Sequence, residues 1–161
     1  MRYTVQAATA ADVAHIANKM SENGGPSSSA AVNHLLRSCA FSRQLWAARD
    51  LEGTPAALWG VVPAPDQPQT GRLWMMLVES DEQDRQDLAD SSRLVVDEML
   101  TEFGELENIV PADSTDAIEV LSRMGFHLGP PLPAQTDAPL QRRAWLEAGE
   151  VAFSDLPRVV N

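Results

Sequence analysis

The chain has one cysteine, Cys39, and one tyrosine, Tyr3. A single cysteine excludes an internal disulfide. Cys39 is expected as a small buried apolar side chain, and the reducing cytoplasm is the expected compartment. No apolar run approaches the roughly 20 residues that a membrane-spanning helix needs. The opening residues Met1-Arg2-Tyr3-Thr4-Val5 hold no signal-peptide core. Positive charge is also scarce: 12 Lys and Arg stand against 23 Asp and Glu, a formal net charge of -11. Such a surface repels phosphate backbones and anionic membranes, so neither nucleic acid nor membrane is expected as a partner. It favours a basic partner, a cationic substrate, or plain solubility. Internal repeats, heptad arrays and low-complexity blocks are missing. His15, His34 and His127 are too scattered to place two on one helical face, so no metal site is expected. Gly24-Gly25 reads as a helix terminator and Ser27-Ser28-Ser29 as a loop without a nucleophile elbow.

What is present suits one globular domain. With 161 residues, 44% of them hydrophobic and 22% charged, the chain can bury a core of its own. Residues 1–148 are expected to form it, with 149–161 as a tail. Tyr3 to Ala8 reads as a strand. Thr9 then caps a helix whose Val13, Ile16, Ala17 and Met20 recur at helical spacing. Asn23 to Pro26 stops it, and Ala30 to Ala40 carries a second helix with Val32, Leu35 and Leu36 inward. Gln44–Arg49 and Pro55–Val62 form an antiparallel hairpin across a Gly53 turn. Pro63 to Gly71 reads as a Pro-rich loop, and the apolar run Leu73–Val78 as a strand buried on both faces. Leu88 to Phe103 reads as one long helix. Leu106–Val110 is a strand, and Ser114 or Asp113 caps a helix that Gly125 closes. Phe126–Leu128 and Arg143–Glu147 are the last strands. Trp46, Trp59, Trp74 and Trp145 all fall in strands, where core packing accounts for them.

The order is strand, helix, helix, three strands, helix, strand, helix, two strands. Together with Glu107-Asn108-Ile109-Val110-Pro111-Ala112 and the block Ser114-Thr115-Asp116-Ala117 running to Met124-Gly125-Phe126, it resembles the GNAT N-acetyltransferases. That resemblance covers nearly the whole chain. It implies an α+β domain with a central mixed, mostly antiparallel sheet flanked by helices. The run from Met99-Leu100 through Leu106-Glu107-Asn108 to Gly125-Phe126 is also similar to GNAT-like proteins of tailed phages, including the internal virion protein A type. For a phage protein the compartment would be the host cytoplasm or the virion.

The resemblance also says where chemistry would sit. The family holds the acetyl-CoA diphosphate on backbone N–H groups of an Arg/Gln-x-x-Gly-x-Gly/Ala loop at a helix N-terminus. Here that loop falls between Val78 and Arg93. It has no glycine and is rich in carboxylates, which are like-charged with the ligand. Leu77 and Val78 would keep the backbone contacts to the pantetheine arm, and Ser91, Ser92 and Arg93 would offer the remaining donors. Glu79 maps to the family base. The family's late-helix Tyr is replaced by Leu121, which cannot donate a proton, and the motif Asn is replaced by Ser114.

Three functions follow. The first is a non-catalytic GNAT-fold protein, a virion or accessory component with a protein partner and no cofactor. The second is an acetyl-CoA-dependent N-acetyltransferase acting on an amine. The third is an acidic mimic of nucleic acid that occupies a host protein, using the carboxylates between Glu79 and Glu107.

Overall fold

In the computed structural model, which describes residues 3–23, 28–78, 81–132 and 141–148, the most apolar strand lies inside a seven-stranded sheet. The strands are β1 (Thr4–Ala7), β2 (Gln44–Arg49), β3 (Pro55–Ala64), β4 (Gln67–Leu77), β5 (Glu105–Pro111), β6 (His127–Pro131) and β7 (Gln141–Glu147). Their spatial order is β1-β2-β3-β4-β5-β7-β6. Every neighbouring pair is antiparallel except β4 and β5. The helices are α1 (Ala10–Asn23), α2 (Ser28–Phe41), α3 (Glu82–Ser91), α4 (Arg93–Glu102) and α5 (Thr115–Arg123). The fold class is the one the element order implied.

Alternation along the strands separates two cores. On one face Tyr3, Trp59, Val61, Leu73, Leu106 and Leu146 pack with apolar residues of α3, α4 and α5. On the other, Ala47 and Leu58 meet Ile16 of α1 and Leu35 of α2. Cys39 is half-buried in that second core, and burial pushes its thiol pKa up. All four tryptophans lie in strands, and Trp59 is fully buried. The helices α1 and α2 cover only the β2–β3–β4 side of their face. Glu105, Glu107 and Ile109 of β5 share that face with Arg143 of β7, and Ile109 is exposed.

Local signals explain most boundaries. At the start of α1, Asp12 N–H donates to Thr9 Oγ1 (3.3 Å) and Thr9 N–H donates back to Asp12 Oδ2 (2.8 Å), a reciprocal capping box. Arg49 of β2 clamps the same carboxylate from the sheet, Nε to Oδ1 at 3.0 Å and Nη2 to Oδ2 at 2.6 Å. The Arg49 hydrogen bond, aided by Thr9, holds the Asp12 carboxyl below its ordinary value against the opposing effect of burial. Asp12→Ala removes the cap and leaves Arg49 with only the Gln6 side-chain oxygen. It should cost about 2 kcal/mol of stability at neutral pH, read from urea unfolding. Because the folded pKa is lowered, that contribution is present above the carboxyl's ordinary pKa and fades as pH falls through the folded value.

At the end of α5, Gly125 takes φ +97°. Phe126 N–H reaches Leu121 O (3.0 Å) and Gly125 N–H reaches Ser122 O (3.1 Å), the paired bonds of a Schellman stop. The Gly-Phe pair is thus a helix terminator that also delivers Phe126 into the core.

Three expectations need correction. The segment from Pro63 to Gly71 is a hairpin: β3 runs on to Ala64, β4 starts at Gln67, and Pro63 pairs with Gly71. Pro63 is tolerated because β2 has already ended opposite Val61, so its missing N–H faces no strand. The expected long helix from Leu88 to Phe103 is instead two helices, and the first starts at Glu82. Ser91 Oγ donates to Asp87 O (2.8 Å) and Ser92 Oγ to Ala89 O (2.8 Å). Such back-bonding hydroxyls compete with the helical ladder and bend it. β6 is also longer than expected, reaching Pro131 through a register shift after Leu128.

Candidate functional site

The one parallel pair in the sheet, β4 with β5, is short. β4 and β5 pair only at Thr70↔Glu105, Gly71↔Leu106 and Arg72↔Glu107. Beyond these the strands part, and cavities fill the gap. One, of about 450 Å³, lies between Leu73–Met75 and Asn108–Val110 and includes Val62, Arg72 and Ala117. A second, of about 540 Å³, continues it along Leu77, Val78 and Arg85 to Ser114, Thr115 and Asp116. Met75 and Ala117 line both, so the two form one trench.

The fork is fixed from both faces. On one, Asn108 Nδ2 donates to Leu73 O at 2.7 Å. This side-chain bond stands where the next backbone bond would have been. On the other, Glu107 is buried and held by Arg72 of β4 (Nε to Oε2, 2.8 Å) and Arg143 of β7 (Nε to Oε1, 2.9 Å). Arg143 Nη2 also reaches Glu105 at 2.6 Å. Burial drives the Glu107 carboxyl upward, but the two guanidiniums outweigh it and leave its pKa lowered.

Along the parted strand, backbone groups point into the trench. Val78 N–H bonds Ala56 O of β3 (2.9 Å), while Leu73 turns its carbonyl to Asn108 on the opposite side. Strand alternation then turns Met75 and Leu77 the same way as Leu73. An extended amide ligand could pair with this edge as a further strand would.

The far end of the trench is different. α3 is capped by Asp81, whose carboxylate accepts Asp84 N–H (2.8 Å), while Asp84 Oδ2 accepts Asp81 N–H (3.3 Å). Asp84 Oδ1 also takes the Tyr3 hydroxyl at 2.9 Å. The segment expected as a diphosphate loop is therefore mostly helix. From Arg85 onward its N–H groups enter the i→i−4 ladder, and the chain's own carboxylates occupy the first turn, where an anion would otherwise sit. Arg85 lines the trench 3.6 Å from Asp116 Oδ1 and 3.7 Å from Glu119 Oε2.

Of the residues singled out from sequence, Leu77 and Val78 line the trench. Ser91, Ser92 and Arg93 lie at the other end of α3; both serines are buried and bonded within the helix, and Arg93 is exposed. Glu79 lies outside the described residues, as does the 149–161 tail. Leu121 is fully buried in the core. Ser114, at the motif Asn position, does line the trench and makes no capping bond. Among the described residues no His, Cys, Asp and Glu cluster could hold a metal, and no helix is long and apolar enough to cross a membrane. The carboxylates Asp84, Glu102, Glu105 and Glu107 are each held by a partner within the chain, so they do not form an uncommitted acidic stripe.

Sequence reasoning missed Asn108, Arg72 and the Asp81–Asp84 box. The box was visible as an Asp-x-x-Asp spacing before a helix. Asn108 was visible as an amide inside an apolar strand.

No family model matches the chain, and no curated protein is significantly similar to it in sequence. Solved structures do share its fold. The ribosomal-protein-S5-alanine acetyltransferase from Vibrio fischeri superposes with a TM-score of 0.65 at 13% identity, over 92% of this chain and 94% of the other. The spermidine N-acetyltransferase from Vibrio cholerae, in complex with CoA and spermine, gives 0.65 at 11% identity over 93% and 98%. A dodecameric structure of spermidine N-acetyltransferase from the same organism gives 0.64 at 10% over 92% and 95%.

Proposed function

Starting from the GNAT acyltransferase fold that the sheet and its neighbours establish, we propose that this chain is an acyl-CoA-dependent N-acyltransferase acting on an amine. The observation that carries this reading is the trench at the β4–β5 fork, open along the β4 edge. An acyl thioester would bring the activated acyl group. The edge formed by Leu73, Met75 and Leu77 is suited to hold the amides of a pantetheine arm, with Val78 beside it. The Ser114 and Thr115 hydroxyls are neutral donors in the opposite wall. The diphosphate end fits poorly, because Asp81 and Asp84 already take the first turn of α3. The donor is therefore held chiefly through its pantetheine part.

Calorimetric titration with acetyl-CoA and with S-acetylpantetheine tests this. Both should bind, with affinities within about tenfold of each other, a difference of 1.4 kcal/mol or less. Asp81→Ser keeps a capping oxygen but removes the charge. It should tighten acetyl-CoA by about tenfold at low salt and leave S-acetylpantetheine unchanged.

The capping box and the buried Leu121 favour a second reading, a non-catalytic binding protein with a protein partner, such as the virion component the phage likeness implies. Absence of heat with either thioester, in the wild type and in Asp81→Ser, would select it.

A further inference from the structure

The chamber on the open-face side of the fork has one charged residue in its wall, Arg72. The rest of the wall is apolar, with Val62, Trp74, Met75, Ile109 and Val110, apart from Asn108. Arg72 is fixed in direction: its Nε is bound to Glu107 Oε2, and Glu107 is fixed in turn by Arg143. That bond uses one of the five N–H donors of the guanidinium. The two terminal nitrogens have no partner among the described residues, and the side chain is half exposed. Arg72 also walls a smaller cavity of about 350 Å³, but there Asp66 and Glu107 stand beside it and disfavour an anion.

A guanidinium pinned at Nε and open at its two ends presents a flat fork suited to a carboxylate. We propose that Arg72 selects an acceptor carrying both an amine and a carboxylate on an apolar body, as in an apolar α-amino acid. This rests on the acyltransferase reading above. A zwitterion also answers the charge of the molecule: at net zero it is not repelled by a surface of -11. A polyamine would find no carboxylate in this chamber among the described residues.

The test uses the full chain and matched compounds that differ only in the carboxylate. Thiol release from acetyl-CoA is followed with L-phenylalanine against phenethylamine, L-leucine against isoamylamine, and spermidine. The carboxylate-bearing member of each pair should have at least a tenfold higher kcat/KM. Binding of N-acetyl-L-phenylalanine and of its amide, measured by calorimetry, should show the same order without turnover. Arg72→Gln should erase the preference, bringing kcat/KM for L-phenylalanine down to that for phenethylamine, and Arg72→Lys should restore part of it. Circular dichroism of each variant establishes that it is folded. Equal use of both members, a preference for spermidine, or equal loss on both members in Arg72→Gln would overturn the proposal. So would donor binding with neither amino-acid turnover nor product preference. Failure of both thioesters to bind would instead overturn the acyltransferase reading beneath it.

Discussion

Glu107→Ala should lower the unfolding free energy by about 1–3 kcal/mol at neutral pH, because it removes a buried carboxylate bonded to two partly exposed guanidiniums. Glu107 is only 7% exposed and ties β4 to β7 across β5, through Arg72 and Arg143. Without it, two guanidiniums face each other over an empty position, and only Arg143 retains another partner, in Glu105. Glu107→Gln keeps the shape and loses the charge, so its cost should be smaller. Urea unfolding measures both. Because its folded pKa lies below the ordinary 4.5, the stabilising effect is complete above that value and is lost as pH falls through the folded one. The gap between wild type and Glu107→Gln should therefore close on acidification. A gap that is constant from pH 7 to pH 3 would mean that the carboxylate's charge contributes nothing.

Gly60→Ala should cost about 1–3 kcal/mol, as other overpacked cores do. A methyl group at Gly60 would overlap the Trp74 indole, which lies directly on the glycine. The ring cannot swing away freely. Its Nε1 donates to Ser42 Oγ (2.8 Å), and that hydroxyl donates to Ser38 O (2.6 Å). At 2–4 °C per kcal/mol for a domain of this size, the melting temperature should fall by several degrees. Trp74→Leu in the same chain should recover part of the loss, giving a coupling above about 0.5 kcal/mol in a double-mutant cycle. Trp74 also lines the acceptor chamber, so the single variant should lose acceptor affinity along with stability. Additive effects would show that the contact is not what requires glycine there.

These two residues mark the limit of what the sequence discloses. Periodicity, caps and stops depend on neighbours a few residues away, so α1, α5 and the Gly125 stop were legible. The same local signals misread Pro63 to Gly71, because Pro63 is harmless only where β2 has ended, a fact about another strand. They misread α3, because a run of acids looks like a loop unless Asp81 and Asp84 are seen to cap each other. Leu77 and Val78, named through the resemblance, line the trench. Arg72, Asn108 and Glu107 were not legible in the sequence. Their roles exist only because β4, β5 and β7 lie side by side, which joins residues 35 and 36 positions apart. The placement of Ser91, Ser92 and Arg93 at the diphosphate followed from the resemblance, which put a loop between Val78 and Arg93 where the chain forms the helix α3. It begins before them, and the serines serve its bend.

The rim of the sheet carries its own consequence. β1 offers four residues, and β6 ends in Pro130 and Pro131, with its register broken after Leu128. Arg142 Nε also takes the Gly129 carbonyl at 2.8 Å. A short strand at one border and a proline-blunted, irregular one at the other are poor templates for a foreign chain to extend. At these two borders, then, intermolecular strand addition has little to build on, and the strand edge left open among the described residues is the parted side of β4 inside the trench.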